Sequence, residues 1–442
     1  MSVALARFQR VANSYLTKRR EKVRSARNRA RGKGSSACPT SAVCGTQAGF
    51  CYEKQTVNVI EVIEASGAGV GRHVRTLSAD LMSEGHRVTV AYSHHRLDEA
   101  FQRFVAEQRD QIRFVQLDIR REPFSLSDVR SLFRLVRLIR KAGPFDVIHG
   151  HSSKGGALAR IAGRLCGIPT VYTPHSLILS SPEVSRAEYL VYLWAERVLG
   201  HLATSKLVAV SKGERALAIH LKLTASERIV VINNGLADED FVYPSEMAGE
   251  ENVYQKPLTF GSVMRFTHQK APAHLVEAFI RVRRALPDIP MRLKIAGDGQ
   301  LWWDVKRQVE RSGFEEEISL LGWVTDVKSV LQELDVFVLS SLYEGFSYGI
   351  LESMAAGLPV VCTDVFGAEE TLAHVPGNLV VTAEDPEALA HGMRRMAILA
   401  KPELLRRSLQ EIGLANRQYA WVHFREREVT RRTVELYRSL AR

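Results

Sequence analysis

From residue 57 onward, short apolar runs alternate with longer stretches in which apolar positions recur every three to four residues. The runs at 58–64, 86–93, 112–117, 146–151, 170–175, 206–211 and 229–233 read as strands, being rich in Val and Ile and bounded by polar or turn-forming residues. Helical patterns lie between most of them, among them 71–83, 128–141 and 155–166. The polar segment 244–256 interrupts the alternation, and a second series follows with strands at 258–264, 292–296, 318–321, 335–339, 359–362 and 378–381. Strand–helix alternation of this kind is the mark of βαβ units on a parallel sheet. The predicted fold is therefore α/β, with two tandem Rossmann-like, doubly wound domains facing a cleft, at 54–245 and 254–418. A tail and linker at 1–53 precede them. A C-terminal helix at 419–442 has no strand to follow it and is free to pack back on the first domain.

Charge separates the tail from the rest. The chain carries a formal net charge of +11, yet residues 1–34 hold eleven basic side chains against the single acid Glu21, so the remainder is almost neutral. Such a body does not suit a protein whose whole surface grips nucleic acid. Residues 3–16 place Leu5, Phe8, Val11 or Ala12, and Tyr15 or Leu16 at helical spacing just before the Lys/Arg cluster. That combination suits an interfacial helix on an anionic membrane surface; it also suits a solvated tail. No run reaches the roughly 18 apolar residues of a membrane span, and the start lacks the apolar core of a secretory signal. The expected location is cytoplasmic, peripheral to the cytoplasmic face of a membrane where the tail binds lipid. Five cysteines without a C-x-x-C pair read as reduced thiols.

Three segments hold candidate chemistry. In 340–359 a strand leads into a loop with Glu344 and then a helix with Glu352, so two carboxylates eight residues apart flank a helix start. Main-chain N–H groups of Ser347, Tyr348, Gly349 and Ile350 would be open there to an anionic or polyhydroxy ligand, and carboxylate oxygens suit pairs of sugar hydroxyls. Arg265 and Lys270 follow another strand, where two cations can neutralise a diphosphate without a metal. In the first half GAGVG, including Gly69, joins a strand to a helix but lacks the dinucleotide G-x-G-x-x-G spacing. His149, His151 and His175 stand at the ends of two strands, donors suited to sugar hydroxyls or proton handling. No H-E-x-x-H or comparable pair accompanies them, so no metal is expected.

The order of these motifs resembles the retaining glycosyltransferases of family 4, which have the GT-B fold, over residues 57–440. EGFSYGILE (344–352) is similar to the family's E-x7-E element and is followed by GLPVV; Arg265 with Lys270 is similar to its phosphate pair. AGDG (296–299), the stretch ending in Glu370, the Gly69 loop, His151, VAVS ending at Ser211 and NNG ending at Gly235 fall in the same order. Departures are Ala68 in place of the first glycine of a pair, Met264 where glycine commonly precedes the arginine, and GFSYG in place of GFGLP.

The resemblance implies a metal-independent hexosyltransferase that keeps the anomeric configuration. Glu352 would hold the donor's ribose, Glu344 the hydroxyls of its sugar, and Arg265 and Lys270 the departing diphosphate. Gly69 would approach the phosphates and His151 the sugar, with His175 and His149 towards the acceptor. The expected acceptor is a lipid-linked glycan in surface polysaccharide synthesis. Alternatives are a nucleotide-sugar 2-epimerase of the same fold and a non-catalytic sugar-nucleotide-binding protein.

Overall fold

The computed structural model describes residues 56–120, 125–241, 256–400 and 403–441, so the basic tail, the linker and nearly all of 244–256 lie outside the described residues. Within one body spanning Val57–Arg442, the first series runs β1 (Asn58–Ile63), α1 (Ala68–Ser83), β2 (Arg87–Ser93), α2 (Glu99–Gln108), β3 (Arg113–Leu117), α3 (Leu126–Ala142), β4 (Val147–His151), α4 (Ser153–Cys166), β5 (Thr170–Thr173), α5 (Arg186–Leu202), β6 (Lys206–Ala209), α6 (Lys212–His220) and β7 (Ile229–Val231). The second comprises β8 (Leu258–Val263), α7 (Pro272–Ala285), β9 (Met291–Ala296), α8 (Trp302–Glu310), β10 (Ile318–Gly322), α9 (Val327–Gln332), β11 (Val336–Leu339), α10 (Tyr348–Ala355), β12 (Val360–Thr363), α11 (Ala368–Leu372), β13 (Leu379–Val381), α12 (Pro386–Leu399), α13 (Glu403–His423) and α14 (Glu426–Leu440).

Each series builds one parallel sheet, in the orders β3-β2-β1-β4-β5-β6-β7 and β10-β9-β8-β11-β12-β13. The order reverses between β1 and β4 and again between β8 and β11, and a crevice opens at such a reversal beyond the strand carboxyl ends. Central strands are covered on both faces, which is why every residue of β4 and all but the first of β1 are buried. One layer packs Leu135 and Ile139 of α3 and Ala159 of α4 against Ile60, Val62 and Ile148. The opposite layer packs Leu77 and Leu81 of α1 and Val434 and Tyr437 of α14 against Val59 and Ile63. Burying one such side chain contributes about 1.5–3 kcal/mol.

Local signals set the helix starts. Ser125 and Asp128 form a capping box on α3, Ser185 and Glu188 another on α5, and Asp385 caps α12 ahead of Pro386. The chain end differs from the single C-terminal helix expected over 419–442. It is the close of α13 and the whole of α14, broken at Phe424–Arg425, where the backbone turns extended to bridge Leu236. The Leu236 amide donates to the Phe424 carbonyl and the Glu426 amide to the Leu236 carbonyl, both at 2.8 Å. Beyond that break α14 lies on α1, and Thr430 Oγ1 donates to Asp80 at 3.0 Å.

Candidate active site

The loops at the two topological reversals meet. From the second sheet, the turn after β8 and the loop after β11 are tied together: Leu342 N donates to the Gln269 carbonyl at 2.8 Å and Ser340 Oγ to the Lys270 carbonyl at 2.8 Å. The Lys270 ammonium lies 2.5 Å from Glu344 Oε1, which also accepts from Ser341 Oγ at 2.7 Å. Glu344 is buried, and these partners satisfy its carboxylate there. Arg265 is exposed at the end of β8, near enough to the Tyr343 phenol to act on its charge. Lys270 and Arg265 thus differ in setting: one is already paired, the other faces solvent.

The loop ends at Ser347, which precedes α10 without capping it through its side chain. The Ser347 hydroxyl is buried and partnerless among the described residues. The amides of Tyr348, Gly349 and Ile350 open the helix, where N–H groups lack intrahelical acceptors. With Ser347 as the N-cap, these are the residues named from the sequence as candidate main-chain donors. Glu352, one turn further on, is half-buried and carries a contact the sequence reading missed. Arg72 of α1 bonds its carboxylate, donates to Asp240 Oδ2 at 2.5 Å and lies 4.9 Å from the Tyr348 ring centroid. Burial opposes ionisation of Glu352 and raises its pKa, with Arg72 pulling the other way. Burial likewise works against the Arg72 charge, but Glu352 and Asp240 outweigh it and the pKa is raised. Arg72 was legible in principle, because it lies one helical turn beyond Gly69 and therefore on the same face. Gly69 itself faces Tyr348: a Cβ there would sit 3.1 Å from the ring.

From the first sheet comes a chain of buried polar groups. His151 Nε2 lies 2.5 Å from Glu61 Oε2, and a carboxylate can only accept, so that nitrogen carries the proton. His151 Nδ1 is then the acceptor for His175 Nε2–H at 3.0 Å. On the other side Tyr437 donates to Glu61 Oε1 at 3.0 Å and accepts from His149 Nδ1 at 2.6 Å, while Thr173 Oγ1 lies 2.8 Å from His149 Nε2. Burial holds His149 and His175 well below the usual histidine range, and His73, packed against His151 and His175, falls to about 3.

This arrangement corrects two placements. His149 is 2% exposed with both nitrogens engaged inside the first half, so it offers nothing to an acceptor. His151 is 0% exposed with both ring nitrogens engaged, and the half-exposed member of the cluster is His175, which His151 holds in place. β5 ends at Thr173 and not at residue 175 as the apolar run predicts, because His175 has a φ of 59° and the next residue, Ser176, one of 142°. Glu61 is an acid inside the otherwise apolar strand segment VIEVI, and that placement is itself a signal in the sequence. One nitrogen from each of His73, His151 and His175 lies within 4.8 Å of the others, a set able to hold a transition ion after small shifts.

The two halves touch at several further points. A Cβ on Gly345 would stand 2.7 Å from the His175 carbonyl oxygen, Asn234 Nδ2 donates to the Phe346 carbonyl at 3.0 Å, and Lys212 N donates to Glu370 at 2.9 Å. Glu344, Lys270, Tyr348 and the α10 amides therefore look across at Gly69, His175 and Arg72. A sugar joined to a diphosphate, with cations at one end and hydrogen-bonding groups at the other, matches that arrangement.

Known proteins with this pattern point the same way. A model described as Glycosyltransferase Family 4 matches residues 67–240, and one described as Glycosyl transferases group 1 matches residues 257–397. Among curated proteins, the chain is 33% identical over 251 residues to the UDP-Gal:alpha-D-GlcNAc-diphosphoundecaprenol alpha-1,3-galactosyltransferase of Escherichia coli, covering 55% of this chain and 63% of that enzyme. It is 29% identical over 337 residues to the alpha-maltose-1-phosphate synthase of Mycolicibacterium smegmatis, covering 69% of this chain and 82% of the synthase. Anabaena HepE in complex with UDP superposes with a TM-score of 0.70 at 19% identity, over 87% of this chain and 100% of HepE.

Proposed function

The chain belongs to the family 4, group 1 glycosyltransferases, and from that premise we propose that it is a metal-independent, retaining hexosyltransferase that moves a sugar from a nucleotide-diphosphate donor to a lipid-linked glycan in surface polysaccharide synthesis. The observation that carries the reading is the position of the Lys270–Glu344 pair and the open α10 amides opposite Gly69 and the His151–His175 pair. Glu352 binds the ribose, exchanging the Arg72 contact for the two hydroxyls. Arg265, Lys270 and the first amides of α10 receive the diphosphate. Glu344 meets the sugar hydroxyls, and His175, oriented by His151, meets the sugar from the first sheet.

The charge flow explains why these groups are wanted. Breaking the bond from the anomeric carbon to the phosphate oxygen places positive charge on the ring and negative charge on the leaving nucleotide. Fixed cations and N–H dipoles at the diphosphate stabilise that distribution without reorganising. HepE, which shares the fold, is described in complex with UDP and with UDP-glucose, and the E. coli relative by its name uses UDP-galactose on a diphosphoundecaprenol-linked sugar. These favour a uridine donor and a lipid-linked acceptor here. The basic segment 1–34, outside the described residues, would bring the enzyme to an anionic membrane where such an acceptor resides.

Labelled UDP-sugars incubated with the protein and bacterial membranes test the reading. Label is expected in the lipid or polysaccharide fraction. Release of label only as free or epimerised sugar would point to the 2-epimerase instead, and binding without any conversion would leave a sugar-nucleotide-binding protein.

A further inference from the structure

On α3 every exposed position is apolar or basic. Leu126, Val129 and Phe133, spaced at i, i+3 and i+7, are 81%, 49% and 71% exposed. Arg130, Arg134, Arg137, Arg140 and Lys141 occupy the other exposed positions. The helix's one acid, Asp128, is turned away, accepting from the Ser125 amide and from Lys154 Nζ. The opposite face is ordinary core, with Leu135, Leu138 and Ile139 buried against the first sheet. The outward face of α3 is thus not a core stripe left over: it combines apolar side chains and cations on one line.

The pattern continues across the layer. α4 lies between α3 and α5 and exposes Leu165 beside Arg164. α5 exposes Leu190, Trp194 and Leu202, at 65%, 68% and 69%, with Arg186 and Arg197 alongside, and its one exposed acid, Glu188, is engaged in the cap with Ser185. A single exposed leucine needs no explanation, but a set spread over three adjacent helices does. Trp and arginine are the residues that settle at the boundary between headgroups and acyl chains, one by its amphipathic ring and the other by reaching back to phosphate.

We propose that the outer face of α3, α4 and α5 is a docking surface for an anionic lipid bilayer, separate from the basic segment 1–34. The charge decides the occupant. The phosphates of a nucleic acid would satisfy the arginines but leave Leu126, Phe133 and Trp194 in water. A second copy of the chain in a twofold contact would set the cations of α3 against themselves. An anionic bilayer satisfies both sets at once, the apolar side chains entering the acyl boundary while the cations meet headgroup phosphates. The helix start, with Leu126 and Val129, lies toward the strand carboxyl ends, so docking brings the cleft mouth toward the lipid. This consequence bears on the lipid-linked acceptor proposed above, although the surface itself is argued without it.

The test is vesicle flotation of the full chain, using phosphatidylcholine alone and phosphatidylcholine mixed with phosphatidylglycerol. Two double variants, Leu126→Ser with Phe133→Ser and Arg134→Glu with Arg137→Glu, keep the basic segment intact and alter only exposed positions. Wild type is expected to float with the anionic vesicles, and each double variant to lose about tenfold or more in partitioning. Lipids brominated in the acyl chain are expected to quench fluorescence in the wild type and to quench much less in Trp194→Phe. Melting shifts with UDP, measured on the same samples, establish that the variants are folded and separate this question from that of the donor site. Unchanged partitioning of both double variants would overturn the proposal and leave lipid binding to the basic segment. Loss in the arginine variant alone, with no quenching of Trp194, would reduce the face to a polyanion contact and overturn it equally.

Discussion

The guanidinium of Arg72 on α1 is shared between Glu352 on α10 and Asp240 at the end of the first series. One cation thereby joins the two halves at the carboxylate expected to hold the donor's ribose. Its partners are only partly exposed, and removing one side of such a pair leaves the other charge uncompensated.

Arg72→Met is therefore expected to destabilise the fold by about 1–3 kcal/mol at neutral pH, less than for a fully buried pair because solvent still reaches the group. Burial already raises the Glu352 pKa with Arg72 present. Without the cation it rises further, and an acid whose folded pKa is raised contributes stability that is lost as pH increases. The gap between variant and wild type should widen from about pH 4.5 to pH 7 in urea unfolding. A gap that stays constant, or narrows, would show that the ion pair is not what Arg72 contributes.

Lys270→Ala and Arg265→Ala should each lower kcat by about 10² to 10³, with a smaller change in KM, as expected for donors that act on charge developing in the transition state. They should differ in stability. Lys270 pairs with buried Glu344 at 2.5 Å, so its loss lowers the melting temperature, whereas Arg265 is exposed and its loss does not. Turnover should persist in excess EDTA. Abolition by chelation would move attention to the His73, His151 and His175 nitrogens.

Two glycines line the contact between the halves, and they should not respond alike. A Cβ on Gly69 would press on the Tyr348 ring at 3.1 Å, which a side chain can relieve by moving a few tenths of an ångström. A Cβ on Gly345 would meet the His175 main-chain oxygen at 2.7 Å, where both partners are backbone. Gly69→Ala is expected to change kcat/KM by less than about threefold, and Gly345→Ala to lower it by about tenfold or more. Steady-state kinetics on the two variants decide the point, and equal effects would argue against this closed contact in the reacting enzyme.

Glu426, the first residue of α14, is 2% exposed, and both its carboxylate oxygens are without partners among the described residues. Burial pushes its pKa up to about 8. The folded state therefore favours the protonated acid, and its stabilising contribution, complete below the unfolded value near 4.5, declines as pH rises towards 8. Glu426→Gln should flatten that decline and exceed wild type by up to about 4 kcal/mol at pH 8 while matching it more closely at pH 5. A pH profile of thermal unfolding that is unchanged by the substitution would sink this assignment.

What could be read from the chain, and what could not, follows the range of the interactions. The strands of both series rest on neighbours in sequence, so the parallel α/β plan was present in the pattern of apolar runs. Glu344, Lys270 and the Ser347–Ile350 amides could be named as candidates, because they sit where a strand passes into a helix and such junctions have sequence signatures. The shared fold of HepE agrees with that plan. The break at Phe424–Arg425 was not visible: the segment is helical in composition, and only its bridge to Leu236, far back in the chain, turns the backbone extended.

The roles of the charged groups depended on the same distances. By itself the sequence determined which side chains end the strands, that eleven cations crowd the first 34 residues, and that the remainder is nearly neutral. Only the tertiary structure decided that Arg72 neutralises Glu352, that Glu61 and Tyr437 fix the histidines, and that His175 is the partly exposed member while His149 is sealed inside. Hydrophobic periodicity is a local property, legible over one turn or one strand. The partner of a buried charge is chosen across 280 residues in the case of Arg72 and Glu352, and it is set by which loops the two sheets bring together.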